Sequence, residues 1–119
     1  MRNRYHDLKV YQTKDGSLIR ELMHPAVHGN QNQSLAEAIV APGQTTALHR
    51  HRQSEEIYYI LQGQGLMTLG DEQFAVQSND TICIAADTAH CIANTGAVDL
   101  HILCSCSPPY SHTDTELLD

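Results

Sequence analysis

Two histidines separated by one residue, His49 and His51, are followed closely by a pair of carboxylates, Glu55 and Glu56. On a β-strand, side chains two positions apart point to the same face, so both imidazoles would lie side by side. Residues 52–54 are polar, and a second strand of high β-propensity is predicted to begin near Glu55. If the two strands form an antiparallel hairpin, a carboxylate lies opposite the histidines. Two neutral imidazoles and one carboxylate are suitable ligands for a divalent transition metal.

A further histidine, His90, is the best candidate for a fourth ligand. It follows a short apolar strand and a turn at residues 87–88, and it begins another short strand that ends near Asn94. Its type and its position at a strand end suit a metal ligand, so the four side chains together predict a metal site.

The spacing of these residues resembles the two sequence motifs of the cupin superfamily. Motif 1, G-x5-H-x-H-x3,4-E-x6-G, is matched at Gly43, His49, His51, Glu56 and Gly63. Motif 2, G-x5-P-x-G-x2-H-x3-N, is matched in part at His90 and Asn94, while Asn79, Ala85 and Asp87 replace its Gly, Pro and Gly. Asn and Asp tolerate turn conformations, whereas the missing proline affects the loop before His90. The resemblance implies a small single-domain cupin, with a metal bound by His49, His51, Glu56 and His90.

Two acidic residues compete for the carboxylate position. Glu55 fits the shorter form of motif 1, but only Glu56 is followed by six residues before Gly63, so Glu56 ranks first. On that register Tyr58 shares the face of Glu56 and is a candidate catalytic residue whose phenol would lie near the metal. The alternative for Tyr58 is a buried wall residue with a satisfied hydroxyl.

The predicted fold class is all-β, a cupin double-stranded β-helix or jelly-roll barrel. Eight or more short strands with turn signals between them indicate an antiparallel sandwich or barrel. The barrel core covers about residues 34–106 of a single 1–119 domain. Residues 1–33 are expected to add a hairpin that packs on a sheet edge or crosses to a partner subunit, and the tail 107–119 to be a turn or short helix.

Composition and charge exclude several function classes. The net charge of −7 argues against nucleic-acid binding, which favours a basic surface. No apolar run approaches the ~20 residues of a membrane span. The charged N-terminus lacks a following apolar block, so no signal peptide is predicted and a cytoplasmic location is expected. The predicted strand at residues 57–61 is apolar on both faces, which predicts a homodimer through a sheet face.

The other cysteines and histidines are expected to have structural roles. Four cysteines lie in apolar strand contexts and are predicted to be small hydrophobes, with Cys91 facing away from its neighbour His90. His101 is predicted to be a satisfied barrel histidine, and His24 and His28 to be solvated. Arg50 and Arg52 are expected on a solvated strand face, although they could also form a local positive spot.

Four protein ligands would leave two adjacent positions of an octahedral metal open to water or substrate. This favours a small metal-dependent enzyme, a dioxygenase, isomerase or lyase, acting on a small oxygenated molecule. The alternative is a module that binds a small molecule without turnover. The ligand set does not distinguish iron, manganese, nickel, copper and zinc.

Overall fold

The computed structural model describes residues 1–119, which form two antiparallel β-sheets with the core between them. The six-stranded sheet has the order β1 (Val10–Gln12), β2 (Leu18–Met23), β3 (Ser34–Val40), β10 (Leu100–Ser107), β5 (Glu55–Gln62) and β8 (Thr81–Ile84). The five-stranded sheet has the order β11 (Thr115–Leu117), β4 (His49–His51), β9 (His90–Asn94), β6 (Gln64–Leu69) and β7 (Glu72–Gln77). Helical structure is limited to a 3-10 turn, Tyr5–Asp7, and to α1, Pro25–His28. The predicted all-β jelly roll is confirmed.

The core is mainly aliphatic, and Tyr58 is the aromatic residue among its twelve buried side chains. In β5 the buried side chains alternate with exposed ones, which is the period that a strand with one covered face requires. Ile60 from this strand packs with Met67 and Ile92 of the other sheet, and all three are essentially inaccessible to solvent. Each such buried side chain contributes roughly 1.5–3 kcal/mol to folding. This packing holds the two sheets at a fixed distance from each other.

The strands that carry the histidines and the carboxylates are not a hairpin. β4 belongs to the five-stranded sheet and β5 to the six-stranded sheet, so the polar segment 52–54 crosses from one sheet to the other. The crossing is held by Asp114, whose carboxylate accepts hydrogen bonds from the backbone N–H groups of Gln53 and Ser54. The carboxylate at the start of β5 therefore faces the histidines across the sandwich, not along a shared ladder.

Gly63 passes the chain back to the five-stranded sheet. It lies alone between β5 and β6 with a φ of 95°, a conformation that side chains with a Cβ rarely adopt. A Cβ there would also meet the backbone of Asp99 and Leu100 at 3.1 Å. Gly63 is therefore a corner at which the chain passes from the six-stranded to the five-stranded sheet.

Both ends of the chain add strands to the sandwich. The N-terminal β1–β2 hairpin extends the six-stranded sheet beyond β3, with which β2 pairs, so the expected packing on a sheet edge is observed. The tail is neither a turn alone nor a short helix, because residues 115–117 form β11 and pair with β4. The tail has no helical apolar period, and extended backbone lets it satisfy the free edge of β4. No helix in the structure has the length and apolar character needed to cross a membrane.

Candidate metal centre

Three histidines converge inside the sandwich. His49 and His51 lie two residues apart on β4, and both are buried on the same face, as strand alternation predicted. His90 begins the neighbouring strand β9, where it is paired directly with His49. One ring nitrogen from each histidine lies within 4.8 Å of the other two, so the three side chains could hold a metal ion.

Backbone carbonyl groups orient two of the three imidazoles. His49 Nδ1 lies 2.8 Å from the carbonyl oxygen of Ala47, and His90 Nδ1 lies 2.9 Å from that of Thr88. Since a carbonyl oxygen only accepts, each Nδ1 carries the proton and donates it. In both rings Nε2 is therefore the nitrogen that faces the interior and is available to a metal ion. Outer hydrogen bonds of this kind are usual around histidines that bind metals.

The third imidazole, that of His51, is oriented by the C-terminal tail. Its Nδ1 lies 2.9 Å from Oγ1 of Thr115, and this hydroxyl donates its own proton to the carbonyl oxygen of Ser111 at 2.8 Å. The hydroxyl is therefore the acceptor from His51, and Nε2 of this ring also faces the interior. Thr115 was not predicted as a partner of His51, because no local sequence pattern links the tail to β4.

Glu56 reaches the histidine cluster from the opposite sheet. Its Oε1 lies 3.1 Å from Nε2 of His51 and 3.5 Å from Nε2 of His90. Burial raises the pKa of the Glu56 carboxyl, but the interactions with His51 and His90 outweigh burial and lower it to about 2. Glu55, the competing candidate, is exposed on the outer face of β5.

The donor atoms fit a divalent cation. Neither Glu56 Oε1 nor His90 Nε2 has a hydrogen-bond partner, although both atoms are buried. Burial, and then the neighbouring His90, lower the pKa of His49, which favours the neutral ring that a metal requires. Buried polar atoms left unpaired are costly, and a cation between the nitrogen lone pairs and the carboxylate would satisfy them together.

Substituted positions of the second motif have the backbone conformations that glycine would give. Asn79 has a φ of 76° and Asp87 a φ of 67°, both in the left-handed region that Asn and Asp tolerate. The loop without the expected proline is held by a hydrogen bond of 2.6 Å from the backbone N–H of Asp87 to the carbonyl oxygen of His51. These contacts keep the turn in place ahead of His90.

Tyr58 lies beside the histidine cluster. It is buried on the Glu56 face of β5, and its ring meets that of His90 edge-on with 6.2 Å between centroids. Burial, followed by the charge of Glu56, raises the pKa of Tyr58 well above its usual value. In the protein without a cation, the phenol is therefore protonated at neutral pH.

A cavity opens from the histidine cluster and leaves about 50 Å³ of space for small molecules. At ~10–15 Å³ for each water, this corresponds to a few water molecules. The N-terminal hairpin supplies one wall of the cavity with six side chains at alternate positions: Tyr11, Thr13, Asp15, Ser17, Ile19 and Glu21. These residues were not predicted from the sequence, because polar residues occur at both odd and even positions of 11–21 and no alternation marks one face.

Asp15 brings a second carboxylate close to the cluster. Its Oδ2 lies 3.8 Å from Nε2 of His49, and its Oδ1 accepts hydrogen bonds from the backbone N–H and the hydroxyl of Ser17. Glu21 lies further along the same wall, where Tyr11 donates a hydrogen bond to its Oε1 at 3.2 Å. Burial raises the pKa of Glu21.

The remaining histidines and arginines have structural contacts. His101 lies on the outer face of β10, not inside the barrel, and its Nδ1 is 3.3 Å from the Glu37 carboxylate. His24 is half-buried and caps α1, so it is not simply solvated. Arg50 of β4 and Arg52, which directly follows that strand, both pair with Glu116 of the tail strand.

The cysteines differ from one another in their surroundings. All four are free thiols. Cys104 and Cys106 are buried and line the cavity, and Cys91 is half-buried next to His90. Cys83 is exposed on the outer face of β8, so the expectation that it would be a buried hydrophobe is wrong. Strand alternation places its side chain opposite the buried Ile82 and Ile84.

Two facing antiparallel sheets with a histidine cluster between them define the class of small jelly-roll proteins to which the chain is similar. The family profile described as Cupin domain matches residues 36–106, and the chain belongs to the cupin family.

Three similar proteins illustrate this relationship. The Uncharacterized protein MJ1618 of Methanocaldococcus jannaschii is 56% identical over 119 residues, which cover 100% of this chain and 95% of that one. The Oxalate-binding protein of Thermotoga maritima is 33% identical over 86 residues, covering 72% of this chain and 67% of that one. The crystal structure of a predicted oxalate decarboxylase from Thermotoga maritima superposes with a TM-score of 0.79 at 24% identity, over 91% of this chain and 99% of that chain. At that identity, the structural similarity shows the fold.

Proposed function

We propose that this protein is a small metal-dependent enzyme of the dioxygenase, isomerase or lyase class. It would hold one divalent transition metal through His49, His51, Glu56 and His90 and act on a small oxygenated molecule. The observation that supports this most strongly is the clustering of three histidine ring nitrogens, two of which lie within 3.5 Å of a buried carboxylate oxygen that has no hydrogen-bond partner. Such a donor set is suited to a borderline transition metal.

When bound, the metal would supply Lewis acidity to an oxygen atom of the substrate. Glu56 would offset one of its two positive charges. Tyr58, two residues further along β5, is the proposed catalytic residue that donates a proton to the substrate or accepts one from it. The buried wall around these side chains excludes bulk water, which strengthens the electrostatic interactions inside the cavity.

A module that binds a small molecule without turnover is the second candidate. One observation favours it: the Oxalate-binding protein of Thermotoga maritima, at 33% identity, is named for binding and not for catalysis. In such a module, the same histidines and Glu56 would hold the metal and the ligand would leave unchanged. Both candidates share the metal centre, and they differ in whether the bound molecule is converted.

We also propose that residues 1–119 act as one domain, because the N-terminal hairpin, the barrel strands and the tail all line one cavity. The homodimer and the cytoplasmic location stay predictions.

Elemental analysis of protein purified without chelator tests the metal centre. We expect about one transition-metal ion per chain, and its loss in a His49→Ala, His51→Ala double variant. His6→Ala is the matched control, since His6 is exposed and lies outside the cavity. A low metal content in the wild-type protein would overturn the proposal. So would an unchanged metal content in the double variant, provided that circular dichroism shows this variant to be a folded β-protein.

Incubation of the metal-loaded protein with a library of small hydroxy acids, diols and amino alcohols separates the two candidates. Nuclear magnetic resonance detects both binding and conversion. Conversion that disappears on metal removal supports the enzyme, and a molecule that binds and is recovered unchanged supports the binding module.

A further inference from the structure

The cavity beside the candidate metal centre is lined with acidic side chains and with no lysine or arginine. Three carboxylates line this cavity, those of Asp15, Glu21 and Glu56. No lysine or arginine is among the 17 lining residues. Proteins bind small anions with arginine forks, lysine ammonium groups or helix N-termini, and none of these faces this cavity.

The nearest cationic side chains are occupied outside the cavity. Lys14 Nζ donates to the backbone carbonyl oxygens of His112 and Thr115, at 3.3 and 2.7 Å. Arg20 donates to the carbonyl oxygens of Tyr5 and Leu8 on the far side of the sheet. Neither group lines the cavity, so neither compensates its acidic wall.

We propose that the molecule recognised at the proposed metal centre is a small neutral or cationic hydroxyl compound, a diol or an amino alcohol, and not a carboxylate or a phosphate. Asp15 and Glu21 would set this selectivity by accepting hydrogen bonds from its hydroxyl or ammonium group. The inference rests on the proposed function, because it assigns the substrate class of that same centre.

Charge balance supports this assignment. A divalent ion brings two positive charges, which the three carboxylates of the cavity exceed when all of them are ionised. A ligand that carries a further negative charge would be repelled, since charges a few ångströms apart in a partly buried site interact strongly. A neutral or positive ligand meets no such penalty.

Unsatisfied acceptors in the cavity support it as well. Glu21 Oε2 is buried and has no hydrogen-bond partner. The same is true of Oε1 of Glu56, a residue that is 5% exposed. Asp15 Oδ1 is engaged by Ser17, but its Oδ2 faces the cavity near His49. These oxygens only accept, so they require a cation or a ligand that donates hydrogen bonds.

The N-terminal hairpin is the source of both additional carboxylates. Asp15 and Glu21 precede residue 36, where the match to the family profile begins. The histidines and Glu56 lie within that match. The proposed selectivity therefore resides in the hairpin, which lies outside the residues matched by the family profile.

Isothermal titration calorimetry on the metal-loaded protein at about pH 8, above the ordinary histidine pKa of ~6.5, tests the proposal. The probes are ethanolamine, ethylene glycol and glycolate, which are similar in size and differ in charge. We expect ethanolamine to bind best and glycolate worst. In Asp15→Asn and Glu21→Gln, the affinity for glycolate should rise about tenfold and that for ethanolamine should fall. Glu72→Gln is the control, since Glu72 is exposed on β7 outside the cavity.

The outcomes separate the two proposals. Protein that carries no metal by elemental analysis overturns the proposed function. Three results with metal-loaded protein would overturn the charge selectivity alone. The protein could bind glycolate more tightly than ethylene glycol, or bind none of the three probes at millimolar concentration. Alternatively, its affinity for glycolate could be unchanged in both variants.

Discussion

Thr115 and His51 are 64 residues apart in the sequence, yet the hydroxyl of one lies 2.9 Å from Nδ1 of the other inside the protein. β11 pairs with β4 at this position, where Thr115 is the direct partner of His51. The tail thus contributes a side chain that fixes the tautomer and the orientation of a candidate ligand. β11, the last strand of the chain, therefore orients a side chain inside the barrel.

Replacing Thr115 by valine should weaken metal binding without removing a ligand. The variant leaves the Nδ1 proton of His51 without an acceptor, and loss of such an outer contact typically costs ~10–100-fold in metal affinity. Competition with a chromophoric chelator measures the affinity. Thr113→Val is the control, because Thr113 is exposed and bonds only to Ser111. Equal affinities of the two variants would show that Thr115 does not support the metal.

Glu56→Gln should lower metal affinity far more than Glu55→Gln. Glu56 is buried beside His51 and His90, whereas Glu55 is exposed on the other face of the strand. We expect a loss at Glu56 above the ~100-fold upper range for outer-shell partners, and almost none at Glu55. The same chelator competition measures both. A larger loss at Glu55 would contradict the register that places Glu56 inside.

In metal-free protein, Glu56 should make stability depend on pH in the acid range. Its pKa in the folded protein is about 2, below the ordinary 4.5. A lowered pKa stabilises the fold above the unfolded-state value, and this contribution is lost as the pH falls from 4.5 towards 2. Urea denaturation should show a shallower loss of unfolding free energy over this range in Glu56→Gln than in wild type. Glu55→Gln should keep the wild-type slope, and identical slopes in all three would refute the assignment.

Tyr58→Phe should leave metal content intact and reduce turnover, since the phenol is proposed to transfer a proton and not to bind the metal. General acid–base catalysis typically contributes ~10²–10⁴-fold, so kcat should fall within this range. Tyr59→Phe is the control, as Tyr59 lies half-exposed on the opposite face and donates to Asn79. A turnover equal to that of wild type would leave Tyr58 as a wall residue.

A homodimer should form through the outer face of the six-stranded sheet. Leu35 and Ile57 flank Ser105 of β10 in one row, and each is about two-fifths exposed, at 37% and 40%. Leu61 further along β5 is 43% exposed. Sedimentation equilibrium at micromolar concentration should show a dimer that Ile57→Lys weakens. Leu66→Lys, on the other sheet, is the control, and a wild-type monomer would contradict the prediction.

Much of the candidate site could be predicted from the sequence, because residue spacing and residue type within short segments indicate its side chains. The one-residue spacing of His49 and His51 predicts a shared face on any strand, and the resemblance to cupin motif 1, with six residues between Glu56 and Gly63, favours Glu56 over Glu55. The positive φ angles at Asn79 and Asp87 agree with the tolerance expected of these residue types. Period and turn chemistry do not depend on distant partners, so these features required no tertiary structure.

The long-range arrangement was decided by the tertiary structure alone. Whether β4 and β5 share a ladder depends on which edges remain free after the sheets assemble, and they belong to different sheets. The tail becomes a strand only because β4 offers an unpaired edge, and Thr115 meets His51 for the same reason. Asp15 and Glu21 form the acidic wall only after the hairpin docks on β3. Local sequence patterns indicate which side chains could bind a metal. The surroundings of these side chains depend on packing between distant strands, because such contacts leave no periodic pattern in the local sequence.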